Sequence, residues 1–235
     1  DVALALDMVP DFSLVDLPPQ MERLDPLLLG QYMTLHQSGL RLLAAPMRPG
    51  QERRFTARHA IVILNLLRQM FDLVVVDLPR GLGPIPATTL GLADDVVFVA
   101  EPQLAGIKNS RLALHVLDSW GNKGRGLRVV LNWNTPKAQA VRAEVESALG
   151  TDIAAEFPFE KKLAKAMLAG RSLREMAPKS RLVKAIDRLA DELAPQGATE
   201  APSRSVLGFF RKTRREEVRS LERAVLQASG GDSSG

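Results

Sequence analysis

Five short apolar runs constrain this chain more than any other feature. "LRLLAA" (40–45) ends at Pro46, "LVVVDL" (73–78) at Pro79 and "DVVFVAE" (95–101) at Pro102. "LRVVLN" (127–132) ends in a polar turn, and "DIAAEF" (152–157) ends at Pro158. Their Val and Leu positions are nearly continuous rather than alternating, which predicts strands buried on both faces and hence a parallel sheet. Stretches of helical period lie between them. Residues 55–70 place Ile61, Leu64 and Leu67 on one stripe, and residues 105–120 repeat the pattern with Leu112, Val116 and Leu117. Residues 136–149 open on Thr135 and Pro136 as N-cap and first helical residue and stop at Gly150. Residues 180–194 begin at Ser180 and end before Pro195. The alternation of strand and helix predicts an α/β fold, doubly wound, with a mostly parallel sheet.

Composition narrows the chemistry. A chain of 235 residues with 46% apolar and 25% charged residues is ordinary for one buried core with an appendage. No apolar run approaches the roughly 20 residues that span a bilayer, and "DVALALDMVPD" carries no basic stretch of the signal-peptide kind. The absence of cysteine excludes disulfides, thiolate chemistry and Cys-based metal sites. His36, His59 and His115 stand far apart, with no second ligand at metal spacing.

The net charge of +4 is unevenly placed. Residues 203–228 hold seven Lys or Arg against three Glu, leaving twenty-four basic and twenty-four acidic residues elsewhere. The basic character therefore belongs to the tail, and the balanced body argues against nonspecific nucleic-acid binding.

The most informative local stretch is "FDLVVVDLPRGLG" (71–83). A run of apolar residues meets Asp77, and Pro79, Gly81 and Gly83 then break the chain. Asp77 either caps the next segment or stands at the carboxyl edge of a sheet, where α/β proteins hold ligands. Gly170 in "LAGRSL" reads equally as a helix C-cap or a functional position. Lys161, Lys162 and Lys165, at helical spacing, read as a solvated face.

The same stretch resembles the "(F/Y)D-φ-φ-φ-φ-D-x-P-x-G" switch II segment of the MinD/ParA class of deviant Walker ATPases. "LADDVVFVAEPQLAGIKNSRLALHVL", "RVVLNWN" and "AAEFPFEKKLAKAMLAGRSLREMAPKSRLVKAI" resemble later segments of that class, in the same order. "DVALALDMVPDFSLVDL" and "SGLRLLAAP" are most similar to the CpaE/TadZ branch, the MinD-like proteins of pilus assembly. The likeness spans residues 1–194, and its strength lies in the ordered set rather than in any one motif.

The resemblance implies a P-loop NTPase of MinD/ParA type that uses ATP and Mg²⁺. It assigns Asp77 to the metal, directly or through water, as the catalytic switch carboxylate, with Pro79 and Gly81 in the switch loop. It places adenine between Asn132, whose carboxamide both donates and accepts, and the loop at Pro158. It implies a nucleotide-dependent homodimer acting with pilus or secretion assembly proteins, cytoplasmic or peripheral at the inner membrane or cell pole. A non-catalytic localisation scaffold and a ParA-type DNA-partitioning ATPase are the alternatives.

One departure stands out. The family's "K-G-G-x-G-K-[ST]" phosphate loop does not occur in these residues, and the prolines of "RGLGPIP" would remove amides that should cradle phosphate. The expectation is a domain at 1–194 truncated before that loop and lacking the first strand of its sheet, with no ATP hydrolysis from this chain alone. Beyond it the sequence predicts a linker at 195–204, a basic amphipathic helix at 205–228 and a disordered tail at 229–235. At about 100° per residue, Leu207, Phe210, Val218, Leu221 and Val225 fall in one arc, and Arg211, Lys212 and Arg215 lie on the same helix. Such a helix suits an anionic membrane surface or a protein partner equally.

Overall fold

The computed structural model describes residues 2–46, 50–120, 126–136 and 141–194. The chain opens with a single helical turn, α1 (Val2–Ala5), and two 3₁₀ turns, Leu14–Asp16 and Pro18–Arg23. Helix α2 (Pro26–Gln31) starts where Asp25 accepts a hydrogen bond from the Leu28 amide at 2.7 Å, with Pro26 at the first helical position. A hairpin of β1 (Thr34–Leu35) and β2 (Arg41–Leu42) follows. A third 3₁₀ turn, Gln51–Arg54, leads to α3 (Ala57–Met70). Thr56 and His59 cap α3 reciprocally: the Thr56 hydroxyl accepts from the His59 amide, and His59 Nδ1 accepts from the Thr56 amide at 3.2 Å.

An extended segment, 71–83, carries the chain to α4 (Pro84–Leu92), then β3 (Val96–Ala100) and α5 (Leu104–Ser119). Strand β4 (Leu127–Asn132), helix α6 (Arg142–Leu149) and strand β5 (Ile153–Phe157) come next. Helices α7 (Lys161–Leu168), α8 (Leu173–Met176) and α9 (Arg181–Leu193) complete the described chain. Ser180 caps α9 by accepting from the Val183 amide at 3.2 Å.

The main sheet has the order β3-β4-β5, with all strands parallel. Its centre is β4, where Val129, Val130 and Leu131 are fully shielded from solvent. Val129 and Leu131 pack with Ala100, Val145, Leu149 and Ile153, so α6 closes over one face of β4 and β5. A second apolar cluster joins α7, α8 and α9 through Ala166, Leu173, Ala177, Leu182 and Val183. A third gathers Leu17 and Leu29 against Ile63 and Leu67 of α3.

The parallel α/β prediction holds for three of the five runs, and the other two differ. Run 40–45 contributes only Arg41 and Leu42 to a strand, in the antiparallel hairpin, while Ala44 makes a lone parallel bridge to Ser13. Run 73–78 is extended but forms no strand. Val74 packs against the α3 cluster and Leu78 against Leu90, Val96 and Leu117, whereas Val75 is 84% exposed. A strand is defined by its partner's hydrogen bonds, and no strand among the described residues lies beside this run or along the outer edge of β3. Burial on both faces is likewise limited to β4, since Val97 and Val99 of β3 face solvent.

The helices need three corrections. Ile61 and Leu112 are exposed; the buried faces are Ala60, Ile63 and Leu67 on α3, and Ser110 and Leu117 on α5. Helix α6 starts at Arg142 rather than Pro136, with the Glu144 carboxylate accepting from the Val141 amide at 3.1 Å. Residues 84–92, where the sequence predicts no helix, form α4. Pro84 and Pro86 occupy its first turn, where amides have no intrahelical acceptor to lose. The linker at 195–204, the helix at 205–228 and the tail at 229–235 lie outside the described residues.

Candidate functional site

Parallel strands bring their carboxyl ends to one edge of the sheet, and two of the predicted residues meet there. Asn132 ends β4 in register with Phe157, the last residue of β5, and Pro158 follows immediately. The Trp133 amide donates to the Phe157 carbonyl at 2.8 Å and carries the β4–β5 ladder one residue past Asn132. Asn132 and Pro158 are both half-buried, as a site with one wall open to a ligand requires.

The loops after the three strands are tied together. Gln103, after β3, donates from its side-chain amide to Asn134 Oδ1, after β4. The Trp133 indole N–H donates to Glu156 Oε2 at 2.9 Å. The first turn of α5 lies so close to the end of β3 that a Cβ on Gly106 would stand 2.8 Å from the Glu101 carbonyl oxygen, so the approach requires glycine.

Arg142, the first residue of α6, fastens that helix to β5. Its Nε donates to Glu146 Oε1 at 2.9 Å, its Nη1 to Glu156 Oε1 at 3.4 Å and its Nη2 to the Ile153 carbonyl at 2.5 Å. Glu146 also accepts the Ile153 amide at 2.9 Å. That backbone bond, and then the Arg142 guanidinium, hold the Glu146 carboxyl below its ordinary range, and the hydrogen bond from Arg142 to Glu146 in turn raises the guanidinium.

Asp77, Pro79 and Gly81 sit together on the segment before α4, and all three are exposed. The capping alternative for Asp77 fails, because α4 begins at Pro84 with Gly83 as its N-cap, six residues beyond the carboxylate. Among the described residues Asp77 has no hydrogen-bond or ion-pair partner. Gly81 has φ of +119°, open to glycine and strained for other residues, so the turn between Pro79 and Gly83 depends on it. No hydrogen bond or ion pair among the described residues joins this group to Asn132 and Pro158.

Gly170 and the three lysines of α7 fit their structural readings. Gly170 follows the last turn of α7, where the Arg171 amide donates to the Ala166 carbonyl at 3.0 Å, a helix-terminating pattern. Lys161, Lys162 and Lys165 are exposed on α7, as a solvated face requires. Leu207, Phe210, Arg211, Lys212, Arg215, Val218, Leu221 and Val225 lie outside the described residues. Among the described residues there is no cluster of three or more His, Asp or Glu able to hold a metal ion. The sequence reading passed over Gln103, Trp133, Asn134, Arg142 and Glu156. Trp133 alone left a trace, a large aromatic wedged between two Asn in "NWN".

Comparison with solved structures identifies the fold. A ParA family ATPase from Chlorobium tepidum TLS superposes with a TM-score of 0.75 at 20% identity, covering 81% of this chain and 80% of that one. The chain has the fold of the ParA and MinD ATPases. The septum site-determining protein MinD of Pyrococcus horikoshii OT3, solved with Mg-ADP, gives a TM-score of 0.67 at 16% identity over 81% of this chain and 77% of its own. The MinD of the Aquifex aeolicus MinC:MinD cell division complex gives 0.63 at 20% identity, over 87% and 81%. No protein-family model and no curated protein sequence matches. In a ParA/MinD-type fold the carboxyl edge carrying Asn132 and Pro158 is the ligand-facing edge expected of an open parallel sheet.

Proposed function

We propose that this chain is the switch domain of an ATP-dependent positioning protein of the CpaE/TadZ type, serving pilus (Flp or tight-adherence) or type II/IV secretion assembly. The observation that supports the reading is the ParA/MinD fold over four fifths of the chain, with Asn132 and Pro158 side by side at the carboxyl ends of β4 and β5. The residues fit part of the ligand. Asn132 presents a half-buried carboxamide beside Pro158, suited to an adenine edge, and Asp77 presents a free carboxylate suited to a hydrated Mg²⁺. The phosphate cradle is not met, because the "K-G-G-x-G-K-[ST]" pattern does not occur in the sequence. Bound ATP and Mg²⁺ would supply a γ-phosphate for the loop at Pro79 and Gly81 to sense. The chain's own part is to seat the base, hold the cation with Asp77 and let the Gly81 turn change conformation.

The MinD of the Aquifex complex is solved with MinC, and by analogy the protein proposed here works as a nucleotide-dependent homodimer with an assembly partner. Light scattering of the full-length protein tests this reading. Its mass should double with ATP and Mg²⁺ and return to that of the monomer with ADP. A mass unchanged by ATP points instead to the non-catalytic scaffold. A ParA-type role on DNA is disfavoured by the charge balance of the body.

The proposed location is cytoplasmic and peripheral at the inner membrane or cell pole. No helix among the described residues is long and apolar enough to cross a membrane. The sequence of 205–228 supplies the proposed contact, through apolar burial and attraction to anionic lipid acting together. A 203–228 peptide should sediment with anionic but not neutral vesicles, less so in high salt or with Phe210→Glu. Failure to bind either vesicle would assign the helix to a protein partner.

A further inference from the structure

We infer that Trp133, Glu156 and Arg142 form a positioning relay that sets the Asn132 carboxamide and makes the base selectivity of the site depend on α6. The inference rests on the nucleotide reading given above. Asn132 is followed directly by Trp133, which is held at two points: its amide by the Phe157 carbonyl at 2.8 Å and its indole by Glu156 Oε2 at 2.9 Å. The ring also packs against the Ala100, Leu131 and Val145 cluster, so it cannot turn without disturbing the core.

Glu156 uses its other oxygen on Arg142, which in turn holds Glu146 and the Ile153 carbonyl. The relay thus joins the start of α6, both ends of β5 and the residue after Asn132. A carboxamide discriminates between bases only if its donor and acceptor are presented in a fixed direction, because a freely turning amide can offer either group to either base. Trp133, Glu156 and Arg142 are positioning residues. They act through the backbone at 132–133, and no contact of theirs with a ligand is required.

The test uses the protein in a Trp120→Phe background, which leaves Trp133 as the sole tryptophan of residues 1–235. ATP and GTP are titrated separately against its fluorescence and by calorimetry. Trp133→Phe, read by calorimetry alone, keeps a ring but loses the indole donor. Glu156→Ala removes the acceptor, and Glu156→Gln keeps an acceptor for the indole but loses the charge on Arg142.

The expected result is an ATP-over-GTP preference that falls about tenfold in Trp133→Phe and Glu156→Ala and by less in Glu156→Gln, with Tm retained closely enough to show folded protein. The graded rescue by Gln is the readout a merely structural role would not produce. Should one variant fail to fold, the other two still decide the question. Variants that bind ATP with unchanged preference overturn the relay and leave the nucleotide site standing. A parent protein that binds neither nucleotide, with Trp133 emission still shifting in Glu156→Ala, overturns the nucleotide reading and the relay's function with it.

Discussion

Asp77→Ala in the full-length protein should lower Mg²⁺-dependent ATP hydrolysis at least about tenfold, the scale expected when a metal-positioning group is lost. The fold should survive the change. Asp77 is exposed, caps no helix and has no hydrogen-bond or ion-pair partner among the described residues, so its removal leaves no buried group unsatisfied. Asp77→Asn should lose as much activity, because it keeps the shape of the side chain and removes the charge that would attract the cation. Phosphate release measured against Mg²⁺ concentration, with thermal melting as a control for folding, checks both. Normal turnover in a normally melting Asp77→Ala protein would remove this residue from the site.

Leu131→Ala should be the most damaging single truncation in the sheet, at about 2–5 kcal/mol. Leu131 is 0% exposed on the central strand and packs among Val129, Val145, Leu149 and Ile153, so the missing methyl groups leave a cavity the surrounding strands cannot close. The urea midpoint should fall by about 1–2.5 M for a slope of about 2 kcal/mol per molar. The same substitution at Leu168, 91% exposed on α7, should stay within about 0.5 kcal/mol and serves as the control. Similar losses at the two positions would contradict the burial on which the fold rests. Because Asn132 follows Leu131, any folded Leu131 variant should also weaken nucleotide binding.

Local chemistry was readable from the chain. Ser180 and Thr56 stop the backbone at a helix start wherever the helix lies, because the hydroxyl reaches an amide only three residues away. Gly150 and Gly170 end helices for an equally local reason, each adopting a left-handed conformation. The β4 run was legible for a different reason: a short run of Val and Leu in an α/β chain has few places to go except the middle of a sheet. The position of Asn132 at a carboxyl edge followed from it.

What required the tertiary structure were the properties that depend on a neighbour. Val74 to Val76 have the composition of a strand, yet no strand is drawn there, since pairing is decided by what lies alongside and not by the run itself. Ile61 and Leu112 keep helical period with their buried neighbours but are exposed, because period fixes which residues share a face and packing alone chooses the face that is covered. The two prolines of α4 had no element assigned to them from sequence, and their place in its first turn appeared only in the structure. The links from Trp133 to Glu156 and from Arg142 to Glu156 cross 23 and 14 residues. Chain order alone determined that an acid, an amide and a proline would each follow an apolar run. Only the pairing of β4 with β5 decided that the amide and the proline would share an edge, because register is set by hydrogen bonds between strands that sequence places apart.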